Sequence, residues 1–243
     1  MDTKKRVFRY LTYDQLKGGG IFWLVMTMIN ILATIVAFST KSNLILGPML
    51  IDEQVITFAG SNIFSAYIFF IIYGIVMYYE SFTLVGGFGV ARKNFYLNVI
   101  VNNIIVVLLS SIIQIVLMKI DNYAISKLGF EPMVDFGLFN MNDNIILNIL
   151  LLSFIFLVFV SMTNLLGVMQ YRFGYKLWIG LGIFLLVSQA TINFIGRIFG
   201  SFMNIILDSN FELTNHLILG VGSLIILLAY SIGFIFIRSV NIK

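Results

Sequence analysis

Residues 97–118 read LNVIVNNIIVVLLSSIIQIVLM, with no charged side chain and no proline. At about 1.5 Å per residue a helix of that length reaches roughly 33 Å, enough for a hydrocarbon core of about 30 Å. Lipid offers no partner to backbone N–H and C=O groups, so such a run reads as a transmembrane helix. Five further runs share the pattern, near Gly19–Ser39, Val55–Tyr79, Asn144–Val168, Leu177–Gly196 and His216–Ile237.

Composition agrees with this reading. Of 243 residues 60% are hydrophobic and 11% charged, against about 25% charged in an ordinary soluble domain. The fold class is therefore an all-α integral membrane protein, one domain over residues 1–243, with six transmembrane helices. The chain has no cysteine, which removes disulfides, thiolate catalysis, Cys-ligated zinc and thiol-linked lipid anchors together. The first run follows Lys4, Lys5, Arg6 and Arg9 as a signal peptide would. Its apolar stretch is too long for that role and no small-residue cleavage site follows it, so it reads as a retained anchor.

Six spans put both termini on one side, and the bases decide which. Lys4, Lys5, Arg6, Arg9, Lys17, Arg92, Lys93, Arg172, Lys176, Arg238 and Lys243 share a face with only Asp2, Asp14 and Glu80. The other face holds Lys41, Lys119, Lys127 and Arg197 against eight acids, from Asp52 to Glu212. Both termini are thus expected in the cytoplasm. A net charge of +4 is explained by topology, without nucleic acid.

Three connections exceed simple turns. Residues 1–17 form a basic segment with Lys5, Arg6, Arg9 and Lys17 opposite Val7, Phe8 and Leu11, as in an interfacial helix. Residues 80–96, ESFTLVGGFGVARKNFY, are too apolar for a free loop and read as a short cytoplasmic helix. Residues 197–215 lie outside, where Arg197, Ser201, Asn204 and Asp208 recur at helical spacing among apolar neighbours, as in a re-entrant or surface-lying hairpin.

Catalytic chemistry finds little to work with. His216 is the one histidine and has no acid one turn away, so it reads as an interfacial helix-end residue rather than a metal ligand. Ser/His hydrolysis lacks a second histidine, and an intramembrane enzyme is disfavoured. No span carries an ionisable residue near its centre, which argues against proton coupling and leaves sodium sites of carbonyls and hydroxyls open. In GGFGVARKN (residues 86–94) the GxGxxG pattern ends on Arg92, and no P-loop occurs. Uncharged polar residues do enter the spans. Asn62, Ser65, Phe69 and Tyr73 form one stripe on span two, and Gln189 and Asn193 lie a turn apart on span five. These read either as helix packing or as the lining of a translocation path or dimer face. Asn98, Asn102, Asn103, Gln114, Asn148, Ser161 and Asn164 read as packing.

Glu80 ends span two, and Gly89-Val90-Ala91-Arg92-Lys93-Asn94-Phe95-Tyr96-Leu97 leads into span three. With the six-span layout, the basic N-terminal helix and the outer hairpin between spans five and six, this resembles the transmembrane subunit of an ABC-2 type (type V) exporter. Ala91 stands where the family usually has a small hydroxyl residue, and Ser81–Val85 where it has a charge-rich stretch. The resemblance implies a bacterial multi-pass permease that pairs with a second copy or a homologue. It also implies two copies of a separate ATPase subunit that bind ATP and Mg, with no cofactor in this chain. Residues 80–96 would be the coupling helix, docking through Glu80, Phe82, Val85, Phe88, Arg92, Lys93 and Phe95. Spans two and five would line the route. Exposed apolar side chains such as Phe82, Val85 and Phe95 would then be covered by the partner, while Arg92 and Lys93 read equally as positive-inside anchors. Ile, Asn, Lys and Phe usage resembles that of low-GC Gram-positive bacteria. By resemblance, the role is export of amphipathic peptides such as phenol-soluble modulins. The alternatives are drug efflux or resistance to bacitracin or lantibiotics, and, from another class, a membrane sensor or scaffold.

Overall fold

In the computed structural model, which describes residues 3–40, 50–51, 54–55, 57–87, 89–127, 131–136, 139–190 and 211–238, nearly all of the described chain is helical. The elements are α1 (Thr3–Thr40), a two-residue-per-strand hairpin β1 (Leu50–Ile51) and β2 (Gln54–Val55), α2 (Phe58–Val76), a π-helical turn Met77–Ser81, α3 (Phe82–Gly87), α4 (Arg92–Lys127), α5 (Ile145–Phe173), α6 (Tyr175–Ala190) and α7 (Phe211–Arg238). Among the described residues five segments are long and apolar enough to cross a bilayer, namely Lys5–Val36, Phe58–Gly87, Arg92–Lys127, Ile145–Phe173 and Leu217–Arg238. The protein is a multi-pass membrane protein. The fifth expected span, Leu177–Gly196, corresponds to α6, whose described apolar part, Tyr175–Phe184, is shorter. Its far end, through Gly196, lies outside the described residues, as do residues 197–210 of the expected hairpin; 211–215 belong to α7.

Local chemistry sets the helix ends. The Thr57 side chain accepts from Gly60 N at 2.9 Å and starts α2, two residues past the hairpin that holds Val55, where the sequence alone began the span. Asn144 likewise accepts from Ile146 N at 2.9 Å and starts α5, satisfying N–H groups that have no intrahelical partner. Gly174, at φ 62°, closes α5 by donating its N–H to Gln170 O at 2.7 Å, a positive φ that suits glycine. α6 begins at the next residue.

The N-terminal segment corrects the sequence reading. No break separates residues 3–17 from the first span; α1 is one helix of 38 residues, about 57 Å long at about 1.5 Å per residue. Its basic residues Lys5, Arg6, Arg9 and Lys17 are exposed, as the amphipathic pattern requires, but Val7 and Leu11 are buried against Met77, Phe82 and Ile237. The apolar face therefore meets protein.

α4 is the central helix, packing on α1, α2, α5 and α7. Two apolar clusters flank it. One holds Trp23, Phe70, Val106, Ile115, Met118, Leu152 and Phe156. The other, at the basic end, holds Leu11, Tyr78, Phe82, Val85, Phe95, Tyr96, Val168 and Ile237. Phe139 and Met141, from the α4–α5 connection, fold back onto the first cluster, held by Met141 N to Val134 O at 2.8 Å and by the Lys119 ammonium on Met141 O. α2 and α5 meet backbone to backbone. A Cβ on Gly74 would lie 2.8 Å from Thr163 C, and one on Gly167 would strike Gly74 O.

Candidate functional site

At the basic end the chain leaves α2 through a π turn in which Phe82 N–H reaches back to Met77 O. The wider turn shifts the register of the following side chains. Met77, Tyr78, Ser81, Phe82 and Val85 thereby face inward, while Tyr79, Glu80, Thr83 and Leu84 face outward. Phe82 is 1% exposed and Val85 2%, whereas Leu84 is 45% exposed. Phe82 is clamped by Phe95 and Tyr171, with ring centroids 5.0 and 5.1 Å away. Gly89, at φ 72°, then turns the chain into α4.

This geometry divides the expected docking set. Phe82, Val85 and Phe95 are covered by their own chain, so their apolarity requires no partner. The inner face has found its neighbours in α1, α5 and α7. Arg92 donates to Arg238 O at 3.0 Å, where a guanidinium satisfies a helix-terminal carbonyl and complements the dipole of α7. Arg92 and Phe95 belong to the first turn of α4 rather than to a separate helix. Glu80 and Lys93 remain exposed, and Phe88 lies outside the described residues. The outward surface that survives is Tyr79, Glu80, Thr83 and Leu84.

Behind this segment a polar layer separates the two apolar clusters. The Tyr73 hydroxyl lies 2.6 Å from Gln15 Oε1 and 3.1 Å from Asn103 Oδ1. Asn103 Nδ2 donates to the Tyr230 hydroxyl at 3.2 Å. Tyr96 donates to Tyr230 O at 2.9 Å, and Tyr78 to Asn164 Oδ1 at 2.6 Å. The layer joins α1, α2, α4, α5 and α7, which is how polar groups at membrane depth are satisfied. A further tie, Trp23 Nε1 to Ser110 Oγ at 3.0 Å, joins α1 to α4.

The stripe expected to line a path or dimer face is turned inward. Phe69 stacks on Phe22 of α1 with centroids 4.6 Å apart, Tyr73 is held in the polar layer, and Asn62 is buried. α1 therefore covers Phe69 and Tyr73 on this stripe, and Ser65 on it is half-buried. The described packing of α6 is against α5. Nothing is described of the Gln189 side chain, and Asn193 lies outside the described residues. Gln15 and Asp121 were not legible as site residues in the sequence. Gln15 precedes the first apolar run, and Asp121 follows the third by one turn.

Among the described residues no group of three or more His, Cys, Asp or Glu side chains is placed to hold a metal ion. No family model matches the chain, nor does any curated protein or solved structure.

Proposed function

We propose that the chain is the membrane subunit of an ABC-2 type exporter, docked at its basic end by a separate ATPase subunit. The observation that carries this is the mounting of α3. The π turn and α3 are fixed to the bundle by Phe82 and Val85 and present Tyr79, Glu80, Thr83 and Leu84 outward. A push on that face reaches α1, α4, α5 and α7 through one apolar cluster. Rigid-body coupling of this kind converts closure of nucleotide-bound partners into helix movement.

The basic end faces the cytoplasm in this reading, by the positive-inside bias, and so do both termini. Two copies of the permease, or one with a homologue, would frame the path. The cargo is an amphipathic peptide, since the span interiors are apolar and uncharged in sequence and suit a substrate drawn from the inner leaflet.

Mild-detergent purification of the chain with neighbouring open reading frames tests the proposal. An ATPase subunit should copurify, and the double variant Glu80→Lys, Leu84→Asp should release it without lowering Tm. Absence of any ATPase, or retention of it by that variant, overturns docking at this face. Deleting 82–96 would be a poor test because it removes Phe82, Val85 and Phe95 from the core.

A further inference from the structure

Toward the acidic end, α1 and α4 diverge and leave a cavity of about 440 Å³. Its walls are Ile31 and Ile35 from α1 and Leu117, Ile120 and Ala124 from α4, and its polar groups come from Asn30, Thr34 and Asp121. Asn30 is 7% exposed, and its Nδ2 has no hydrogen-bond partner among the described residues. A buried amide donor left open costs about 1–3 kcal/mol, which an acceptor in the cavity would recover.

Asp121 is the only charged residue among the lining residues and is 4% exposed. Its carboxylate is met by Ala59 N at 2.8 Å and Thr34 Oγ1 at 3.5 Å, and by the Thr57 side chain and Phe58 N–H. These are neutral donors. The Thr34 hydroxyl also lies 2.8 Å from the backbone carbonyl of Asn30, so its one hydrogen is shared between that carbonyl and the carboxylate. A carboxylate on an apolar wall attracts a cation more strongly than one in water, because the local dielectric is low.

We infer that this α1–α4 cavity binds a cationic amphiphile. A carbonyl of the ligand accepts from Asn30 Nδ2, its ammonium faces Asp121, and its chain runs along Ile31 and Leu117. The inference stands on the cavity itself and needs no ATPase partner. The same chemistry is found in free amphiphiles and in choline phospholipids, and the experiment separates the two.

The natural chain lacks cysteine, so Ala124→Cys places a single thiol on the cavity wall, and Tyr123→Cys, at a position 67% exposed beside it, supplies a control at the same depth. In phosphatidylglycerol nanodiscs, lauroylcholine should slow maleimide modification of Ala124→Cys at least tenfold and saturably, with no effect on Tyr123→Cys. Asn30→Leu in that background should raise the protecting concentration at least tenfold, and dodecyltrimethylammonium, which lacks the carbonyl, should protect as weakly. Protection of Ala124→Cys in phosphatidylcholine nanodiscs without added ligand would identify a phospholipid as the natural occupant, still within the proposed chemistry. Equal protection by dodecanoate, equal protection of both thiols, or no protection at all overturns the inference. So does quantitative disulfide pairing of Ala124→Cys, which would make a second copy the occupant. A photoreactive diazirine in the lauroyl chain should label residues 27–35 and 117–124 of the unaltered chain. Labelling confined elsewhere overturns the assignment whatever the variants do.

Discussion

Asp121, near the end of α4, accepts a hydrogen bond from the backbone N–H of Ala59 at 2.8 Å, so a side chain of one helix caps the start of another. Thr57 takes Gly60 N and Asp121 takes Phe58 N and Ala59 N, which satisfies the first three orphan donors of α2. Gln114 adds a bond to Ala59 O at 2.6 Å.

Removing the carboxylate leaves two buried N–H groups without an acceptor. Asp121→Ala should cost about 2–4 kcal/mol. Asp121→Asn keeps one acceptor oxygen and should lose less than half of that. Thermal unfolding in detergent reads the order. Equal Tm values for Asp121→Ala and the parent would show that the cap contributes nothing.

The Gly74–Gly167 contact predicts the opposite behaviour of glycines in different places. Gly167→Ala forces a Cβ onto the Gly74 carbonyl, and Gly74→Ala meets the Thr163 backbone. Neither neighbour is a flexible side chain, so each should cost about 2–3 kcal/mol through displaced helices. Gly18 and Gly20, inside α1, have nothing among the described residues within 4 Å of an added Cβ. Alanine there should stabilise by about 0.5–1 kcal/mol through reduced backbone entropy. A Tm scan over the four variants tests both signs.

Two adjacent asparagines of α4 should respond differently to the same change. Asn103 joins Tyr73 to Tyr230, so Asn103→Leu strands the Tyr230 hydroxyl, leaves Tyr73 with Gln15 alone and should cost about 1–2 kcal/mol. Asn102 is 0% exposed and neither amide atom has a partner among the described residues. Asn102→Leu removes that burden at similar volume and should be neutral or stabilising. The comparison is read from chemical unfolding of each variant in the same detergent. Parallel losses would mean that Asn102 carries a bond equal to that of Asn103.

How much of this was legible follows from what each signal can report. Apolar runs without charge gave α2, α4, α5 and α7 to within several residues, because bilayer thickness constrains length. Asn102, Asn103 and Asn164 were readable as packing residues, since an amide inside an apolar run must find protein. Their partners were not readable. Tyr78 and Asn164 are 86 positions apart, and nothing local joins them. Asp121 escaped because it lies past the apolar run, although it continues the stripe of Gln114 and Met118. The burial of three expected docking residues was not readable for a different reason. Apolarity at Phe82, Val85 and Phe95 says that each must be covered, but not by what. The π turn that points Phe82 and Val85 inward has no sequence marker.

That division of α3 into an inner and an outer face yields the sharpest functional prediction. Phe82→Ala empties a site enclosed by Phe95 and Tyr171 and should cost about 3 kcal/mol, with a lower Tm and every activity reduced alongside it. Leu84, 45% exposed, contributes little to the fold, so Leu84→Asp should leave Tm within a degree or two. If an ATPase docks on this face, a buried charge at the contact should weaken its retention by at least tenfold. Thr83, whose hydroxyl is already engaged by Tyr79 O at 2.9 Å, offers a milder probe on the same face. Thr83→Arg should then lower retention by steric and charge mismatch while keeping the fold. Parallel measurement of Tm and ATPase retention separates the two classes. Loss of retention in Phe82→Ala alone, with Leu84→Asp and Thr83→Arg both unaffected, would place the docking surface elsewhere on the basic end.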